Sequence, residues 1–246
     1  MSRGELLLSV IIPVYNEELT IGNIIDRTKK ALQQTGLDYE IIVVDDRSHD
    51  RSRDVAGKHD VRLYSLKQHL GKGYVLRAGF AKAKGDIIVT IDSDGSHRPE
   101  ELREVLTPVL ENRADLVIGS RYLNHKQVVA RKLNAFGVKV FNYLIKVFTG
   151  VAVTDSQSGY RAMKCEVLKK QKLYAREYEI ESEMLVKTVK AGFRVAEVPI
   201  SFEQRTYGHS GVDPMVDGSK ILLSIGFNLN VQIEKITRMI VPAKTK

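Results

Sequence analysis

Ile87-Ile88-Val89-Thr90-Ile91-Asp92-Ser93-Asp94-Gly95-Ser96-His97 runs five β-branched residues straight into two carboxylates one residue apart. The run lacks polar alternation, so it reads as a strand buried on both faces, as in a parallel sheet. Asp92 and Asp94 then fall at its carboxyl end, where open α/β sheets bind their ligands. Two carboxylates this close repel, and a divalent cation offsets that repulsion. The alternative is a polar strand-to-helix turn in which Asp or Ser caps a helix opening near Pro99-Glu100-Glu101.

Working outward, the same rhythm recurs. Leu6 to Val14 reads as a buried strand that Pro13 stops, because proline lacks a ladder donor. It leads into Tyr15-Asn16-Glu17 and a helix over Thr20 to Gln34, closed by Gly36. Tyr39 to Val44 is a second buried strand ending in Asp45-Asp46. A short polar helix over Ser48 to Lys58, a strand over Val61 to Leu66 and a helix over Lys72 to Lys84 precede the Ile87 strand. Pro99 to Glu111 is helical, and Asp115 to Gly119 is a fifth strand. Alternating strands and helices imply right-handed crossovers and a mainly parallel sheet covered on both faces. Asn16-Glu17, Asp45-Asp46 and Asp92-Asp94 would converge on one edge of that sheet. No G-x-G-x-x-G follows the first strand and no G-x-x-x-x-G-K-[ST] occurs, which argues against dinucleotide oxidoreductases and P-loop NTPases.

Composition narrows the partners. The 246 residues carry a formal charge of +8, which suits an anionic partner such as a nucleotide, a phospholipid surface or nucleic acid. Cys165 is the only cysteine, so neither a disulfide within the chain nor a cysteine-based zinc site is expected. No secretory signal and no run of about 18 apolar residues is found, so a cytoplasmic location is expected. From Leu116 to Thr154 there is no acid, and Lys132, Lys139 and Lys146 recur every seven residues on a helix over Val128 to Phe148. Val129, Leu133, Phe136, Val140, Leu144 and Val147 form a second, apolar stripe. Such a helix lies on an anionic membrane surface, or packs on its domain with a solvated lysine face. Beyond it come a polar loop from Asp155 to Met163 leading into a short strand, a helix over Ile180 to Ala191, a strand over Arg194 to Val198 and a glycine-bearing loop, Gln204 to Gly211. From Ser219 the tail has apolar residues at helical spacing, as for docking, subunit pairing or an interfacial position.

Val14-Tyr15-Asn16-Glu17, Val44-Asp45-Asp46-Arg47-Ser48 and Asp92-Ser93-Asp94, each after a strand, together resemble the family 2 glycosyltransferases of GT-A fold. Gly119-Ser120-Arg121-Tyr122, the Asp155 to Arg161 loop and Glu197-Val198-Pro199-Ile200 are similar to the dolichol-phosphate mannose synthase branch. The resemblance implies an α/β, Rossmann-like catalytic domain over residues 1–211 and an amphipathic tail over 212–246. It implies an inverting hexosyltransferase serving protein glycosylation, with GDP-mannose as donor and a polyprenyl or dolichyl phosphate as acceptor. UDP-glucose, UDP-N-acetylglucosamine or a soluble acceptor are the alternatives.

By the same resemblance Pro13, Tyr15, Glu17, Asp45 and Asp92 contact the nucleotide, and Asp92 and Asp94 bind Mg²⁺ or Mn²⁺. Arg121, Arg131 and Arg205 take the acceptor phosphate. A hard cation prefers carboxylate and phosphate oxygens, and arginine's planar fork suits phosphate. Ser96 stands where the branch often has a metal-binding glutamine, and a serine hydroxyl is a poorer ligand. Glu181 and Glu183 fit a helix pattern equally well and are left out of the catalytic set. Peripheral contact with the cytoplasmic face of a membrane and subunit pairing through the tail are also expected. A nucleic-acid partner is not, because the converging acids would repel a phosphate backbone.

Overall fold

A computed structural model of the chain describes residues 6–123 and 132–203. The first apolar run becomes β1 (Leu7–Val14), buried along nearly all its length. Then come α1 (Ile21–Gln33), β2 (Asp38–Asp45), α2 (Ser52–Ala56), β3 (Arg62–Ser65), α3 (Lys72–Lys82) and β4 (Ile87–Thr90). After a 3-10 turn at Pro99–Glu101 follow α4 (Leu102–Leu110), β5 (Leu116–Ser120), α5 (Lys132–Thr149) and β6 (Arg161–Lys164). The described chain closes with α6 (Cys165–Lys169), α7 (Ile180–Lys190) and β7 (Val195–Pro199).

The strands form one seven-stranded sheet in the order β3-β2-β1-β4-β6-β5-β7. Only β6 runs against its neighbours, wedged between β4 and β5. One core lies under α1 and α4, where Ile21, Ile24, Ile25 and Leu32 meet Val10, Ile12 and Leu106. The other lies under α3, α5 and α7, where Ile11, Ile42, Ile88, Ile145 and Leu185 meet. Each such side chain contributes roughly 1.5–3 kcal/mol on burial, so the sheet is held from both faces. This is the mixed α/β, GT-A-like architecture expected from the strand–helix rhythm.

Two local expectations need correction. Pro13 does not stop β1 but lies inside it, opposite Val44. Ile91 N–H donates to the Ile11 carbonyl, so Ile11 and, two residues on, Pro13 face β4. The register with β4 ends at Ile11–Thr90, while pairing with β2 continues to Val14–Asp45. The missing donor therefore falls on the side where the ladder has already finished.

On α5, Val138 and Ile145 are buried, with Phe141 packed against the core, whereas Val140 and Val147 are exposed. The stripe read from Val140, Leu144 and Val147 is not the one that seals the domain. Lys139 and Lys146 are exposed as expected. Arg131, Arg205, the loop over 204–211 and the tail over 212–246 lie outside the described residues.

Candidate active site

Because β2, β1 and β4 are adjacent and parallel, their carboxyl ends share one edge, and the three acidic strand ends are brought side by side. The chain leaves β1 and β2 through left-handed residues, Asn16 (φ 54°) and Arg47 (φ 63°). Asn16 Oδ1 accepts the His49 N–H at 2.8 Å, and Asp45 Oδ1 accepts the Ser48 N–H at 3.2 Å, which ties the two turns together. Glu17 is buried and accepts the Thr20 hydroxyl at 3.0 Å. Tyr15 stands at the rim, its ring stacked on His69 with centroids 4.2 Å apart. Of the residues assigned to the nucleotide, Tyr15 alone offers an open aromatic face; Asp45 is buried behind the turn.

Asp46 organises the next loop. Its carboxylate accepts the Leu70 and Gly71 N–H groups, both at 2.8 Å, and pairs with His69 at 2.8 Å. Gly71 has φ 88°, and a Cβ there would meet the Glu177 carboxylate at 2.4 Å, so only glycine fits. This loop delivers Lys72, the first residue of α3, into the site. Lys72 Nζ lies 2.7 Å from Asp92 Oδ1 and 2.9 Å from Glu181 Oε1. Burial works against the lysine's charge, but the two carboxylates outweigh it and raise its pKa above the usual value. Asp92 is the mirror case, since burial alone would raise it and Lys72 chiefly holds it below the ordinary carboxylate range.

Asp94 is oriented by Ser96, whose N–H and hydroxyl both donate to Asp94 Oδ1, at 3.0 and 2.7 Å. Ser96 is thus placed to orient the Asp94 carboxylate. His97 is buried with no hydrogen-bond partner at either nitrogen, and its Nδ1 lies 3.8 Å from Asp92 Oδ2. Burial lowers its pKa against the opposing pull of Asp92 and Asp94. The loop is fastened from outside by the Glu203 N–H on the Ser96 carbonyl at 2.9 Å. Behind it, Gly159 backs directly onto Asp92, and a Cβ there would stand 2.4 Å from Oδ2. Gly159→Ala is therefore expected to push Asp92 off its position. Activity should fall more than about tenfold, while the unfolding free energy measured in urea falls by roughly 1 kcal/mol or less, since the short carboxylate end can yield.

Arg121 follows β5 and is committed to a buried partner. Its Nε and Nη2 donate to Asp155 at 2.6 and 2.8 Å, and its backbone N–H does so at 3.1 Å. Phe202 and Tyr122 rings flank the guanidinium at 5.4 and 5.7 Å. Burial disfavours its charge, but Asp155 more than offsets that and raises its pKa. Asp155 is placed in turn by Glu197 on β7, which accepts the Asp155 N–H at 2.9 Å and the Thr154 N–H at 2.7 Å. Glu183, by contrast, accepts the Tyr174 and Ala175 N–H groups and pairs with Lys187, which is a structural task.

Of the residues gathered around Asp92, the sequence reading did not name Lys72, set Glu181 aside as a helix residue and had Asp155 only as part of a motif. One signal was available for Lys72, because a cation at the first position of a helix opposes the helix dipole and calls for an acidic partner. Asp92 and Asp94 offer hard oxygen donors that fit a divalent cation. Among the described residues no group of three or more His, Cys, Asp or Glu is placed to hold a metal ion, so further oxygens would have to come from ligand and water.

Comparisons with known proteins bear on the family and the fold. Residues 9–171 match the profile of Glycosyl transferase family 2. The UDP-N-acetylglucosamine–dolichyl-phosphate N-acetylglucosaminyltransferase of Methanococcus voltae is 31% identical over 252 residues, covering 92% of this chain and 94% of that protein. The dolichol-phosphate mannosyltransferase of Pyrococcus furiosus is 33% identical over 212 residues, covering 82% of this chain and 58% of that longer protein. Among solved structures, glucosyl-3-phosphoglycerate synthase from Mycobacterium tuberculosis, crystallised with Mn²⁺, uridine diphosphate and phosphoglyceric acid, superposes with a TM-score of 0.73 at 22% identity. It covers 97% of this chain and 80% of that one, and the likeness establishes the fold.

Proposed function

The chain belongs to glycosyl transferase family 2, and we propose that it is an inverting hexosyltransferase that moves a sugar from a nucleotide donor to a polyprenyl or dolichyl phosphate. The observation that carries this reading is the adjacency of two chemistries at one sheet edge. Asp92 and Asp94 follow β4, and the Arg121 guanidinium sits close enough for its charge to act on Asp92. The names of the two dolichyl-phosphate relatives point the same way.

The nucleotide lies along the ends of β1 and β2, against Pro13, Tyr15, Glu17 and Asp45, with Tyr15 and the His69 ring beneath it offering a flat face to the base. Asp92 and Asp94 hold Mg²⁺ or Mn²⁺, which supplies charge neutralisation to the departing diphosphate. Arg121, with Arg131 and Arg205, orients the acceptor phosphate. Arg121 keeps a fixed pose because Asp155 holds two of its N–H groups, so the Nη1 edge is the one outside that pair. A phosphomonoester has its second pKa near about 6, so its oxygen is already anionic at neutral pH and attacks the anomeric carbon without a general base. Attack from the face opposite the nucleotide inverts configuration. Catalysis then rests on positioning and on preorganised charge.

An acceptor on a lipid requires reach to a membrane. No helix among the described residues is long and apolar enough to cross one. On α5, however, exposed Val140, Tyr143 and Val147 line up at helical spacing beside exposed Lys139 and Lys146. This stripe suits peripheral contact with an anionic surface, with the cytoplasmic face as the expected side.

The test is a transfer assay with GDP-mannose, UDP-glucose and UDP-N-acetylglucosamine, each with and without polyprenyl phosphate in vesicles, in Mg²⁺ or in excess chelator. We expect one donor, GDP-mannose by the sequence resemblance, to transfer its sugar to the lipid phosphate only when the metal is present. Transfer solely to a soluble hydroxyl acceptor would overturn the lipid-phosphate reading.

A further inference from the structure

Lys72 occupies an unusual electrostatic position. Its ammonium bridges two carboxylates, at 2.7 Å from the partly exposed Asp92 and 2.9 Å from the buried Glu181. Glu181 is 3% exposed, and its Oε2 is buried without a hydrogen-bond partner. Glu181 is shut off from water, and an uncompensated buried charge is costly. Arg121 and Asp155 cancel one another as a bidentate pair.

We propose that Lys72 is a built-in counter-ion that holds the Asp92 carboxylate until a divalent cation takes it, with Glu181 as the second anchor onto which the ammonium withdraws. The proposal rests on the reading of Asp92 as a metal ligand and deepens it. A dication and an ammonium on one carboxylate repel strongly in a poorly solvated site. The lysine's flexible stem lets the head shift, where an arginine fork would be fixed. Glu181 makes that shift tolerable, because its second oxygen is still without a hydrogen bond, and Lys72 leaves Asp92 without losing its last partner. Free metal must therefore displace Lys72 and binds weakly, whereas metal arriving with a nucleoside diphosphate brings additional oxygen ligands that favour the exchange.

The experiment is a Mn²⁺ titration of the full chain followed by electron paramagnetic resonance, without nucleotide. Lys72→Met should bind Mn²⁺ about tenfold more tightly than the wild type, because the competing cation is gone. Glu181→Gln should bind it several-fold more weakly, since Lys72 then has nowhere to withdraw. Simple field effects of the two charges would give the same signs, so the double variant Lys72→Met/Glu181→Gln decides. In the exchange mechanism the Glu181→Gln penalty vanishes once Lys72 is absent. If the two effects add, the exchange is wrong. Where Lys72→Met folds poorly, Lys72→Gln and Lys72→Gln/Glu181→Gln supply the same two corners of the cycle. A parallel titration with GDP or UDP separates the two layers. Binding of Mn²⁺ with nucleotide but additive variants overturns only the role of Lys72, whereas no binding by any form overturns the metal reading with it.

Discussion

Asp92→Asn is expected to lower sugar transfer by at least roughly 10³-fold while the chain stays folded, which is as large a loss as removing a key electrostatic group in other active sites. The substitution keeps the shape of a side chain that Gly159 and His97 closely surround. What disappears is the negative charge at the end of β4. Lys72 retains Glu181, so no buried cation is left alone, and the cost in stability should be about 1 kcal/mol. The divalent cation, however, loses one of two carboxylates, and the departing diphosphate loses its nearest compensation. The binding readout should follow suit. A nucleoside diphosphate with Mg²⁺ raises the melting temperature of the wild type and should leave that of Asp92→Asn unmoved. A variant that still transferred sugar within tenfold of wild type would place the cation elsewhere and sink the present division of the site.

The fold was legible where the chain's own neighbours carry the signal. β1, β2 and β4 are runs of β-branched residues without polar alternation, and a strand buried on both faces needs that pattern. Their acidic ends were legible too, because a parallel sheet places like ends together whatever the strand order. Two other features were not. The short strand after the Asp155 loop was expected, but nothing in Arg161 to Lys164 shows that it runs antiparallel between β4 and β5. On α5 apolar residues sit nearly all round the helix, so spacing alone could not choose between the Val138–Phe141–Ile145 and Val140–Leu144–Val147 stripes. The Lys72–Asp92–Glu181 cluster was hidden for a different reason. It joins the start of α3, the end of β4 and the start of α7, and only the sheet order brings these together. Glu181 looked like a first-turn acid favoured by the helix dipole, which it also is.

The second large effect concerns Arg161, a fully buried cation whose hydrogen bonds all go to backbone carbonyls. It sits on β6 between Thr90 of β4 and Ile118 of β5. Nε donates to the Ser158 carbonyl at 2.9 Å, Nη2 to Ser156 at 2.7 Å and Nη1 to Glu181 at 2.7 Å. Burial lowers its pKa, partly offset by the charges of Glu181, Asp155, Glu197 and Asp92 around it. One guanidinium thus clamps the loop that presents Asp155 to the helix turn that presents Glu181. Arg161→Met conserves much of the volume and removes the desolvated charge, which taken alone is favourable. It also strands three buried carbonyls, each costing about 1–3 kcal/mol without a donor. The losses outweigh the gain, so Arg161→Met should destabilise the chain by roughly 3–5 kcal/mol, read as a lower urea midpoint at unchanged slope. Arg161→Lys keeps the charge, yet a single ammonium cannot span three carbonyls arranged for a planar fork, so a smaller loss of about 2 kcal/mol is expected. Rank order is the stringent part of this prediction. If lysine were worse than methionine, burial of charge rather than lost carbonyl partners would dominate.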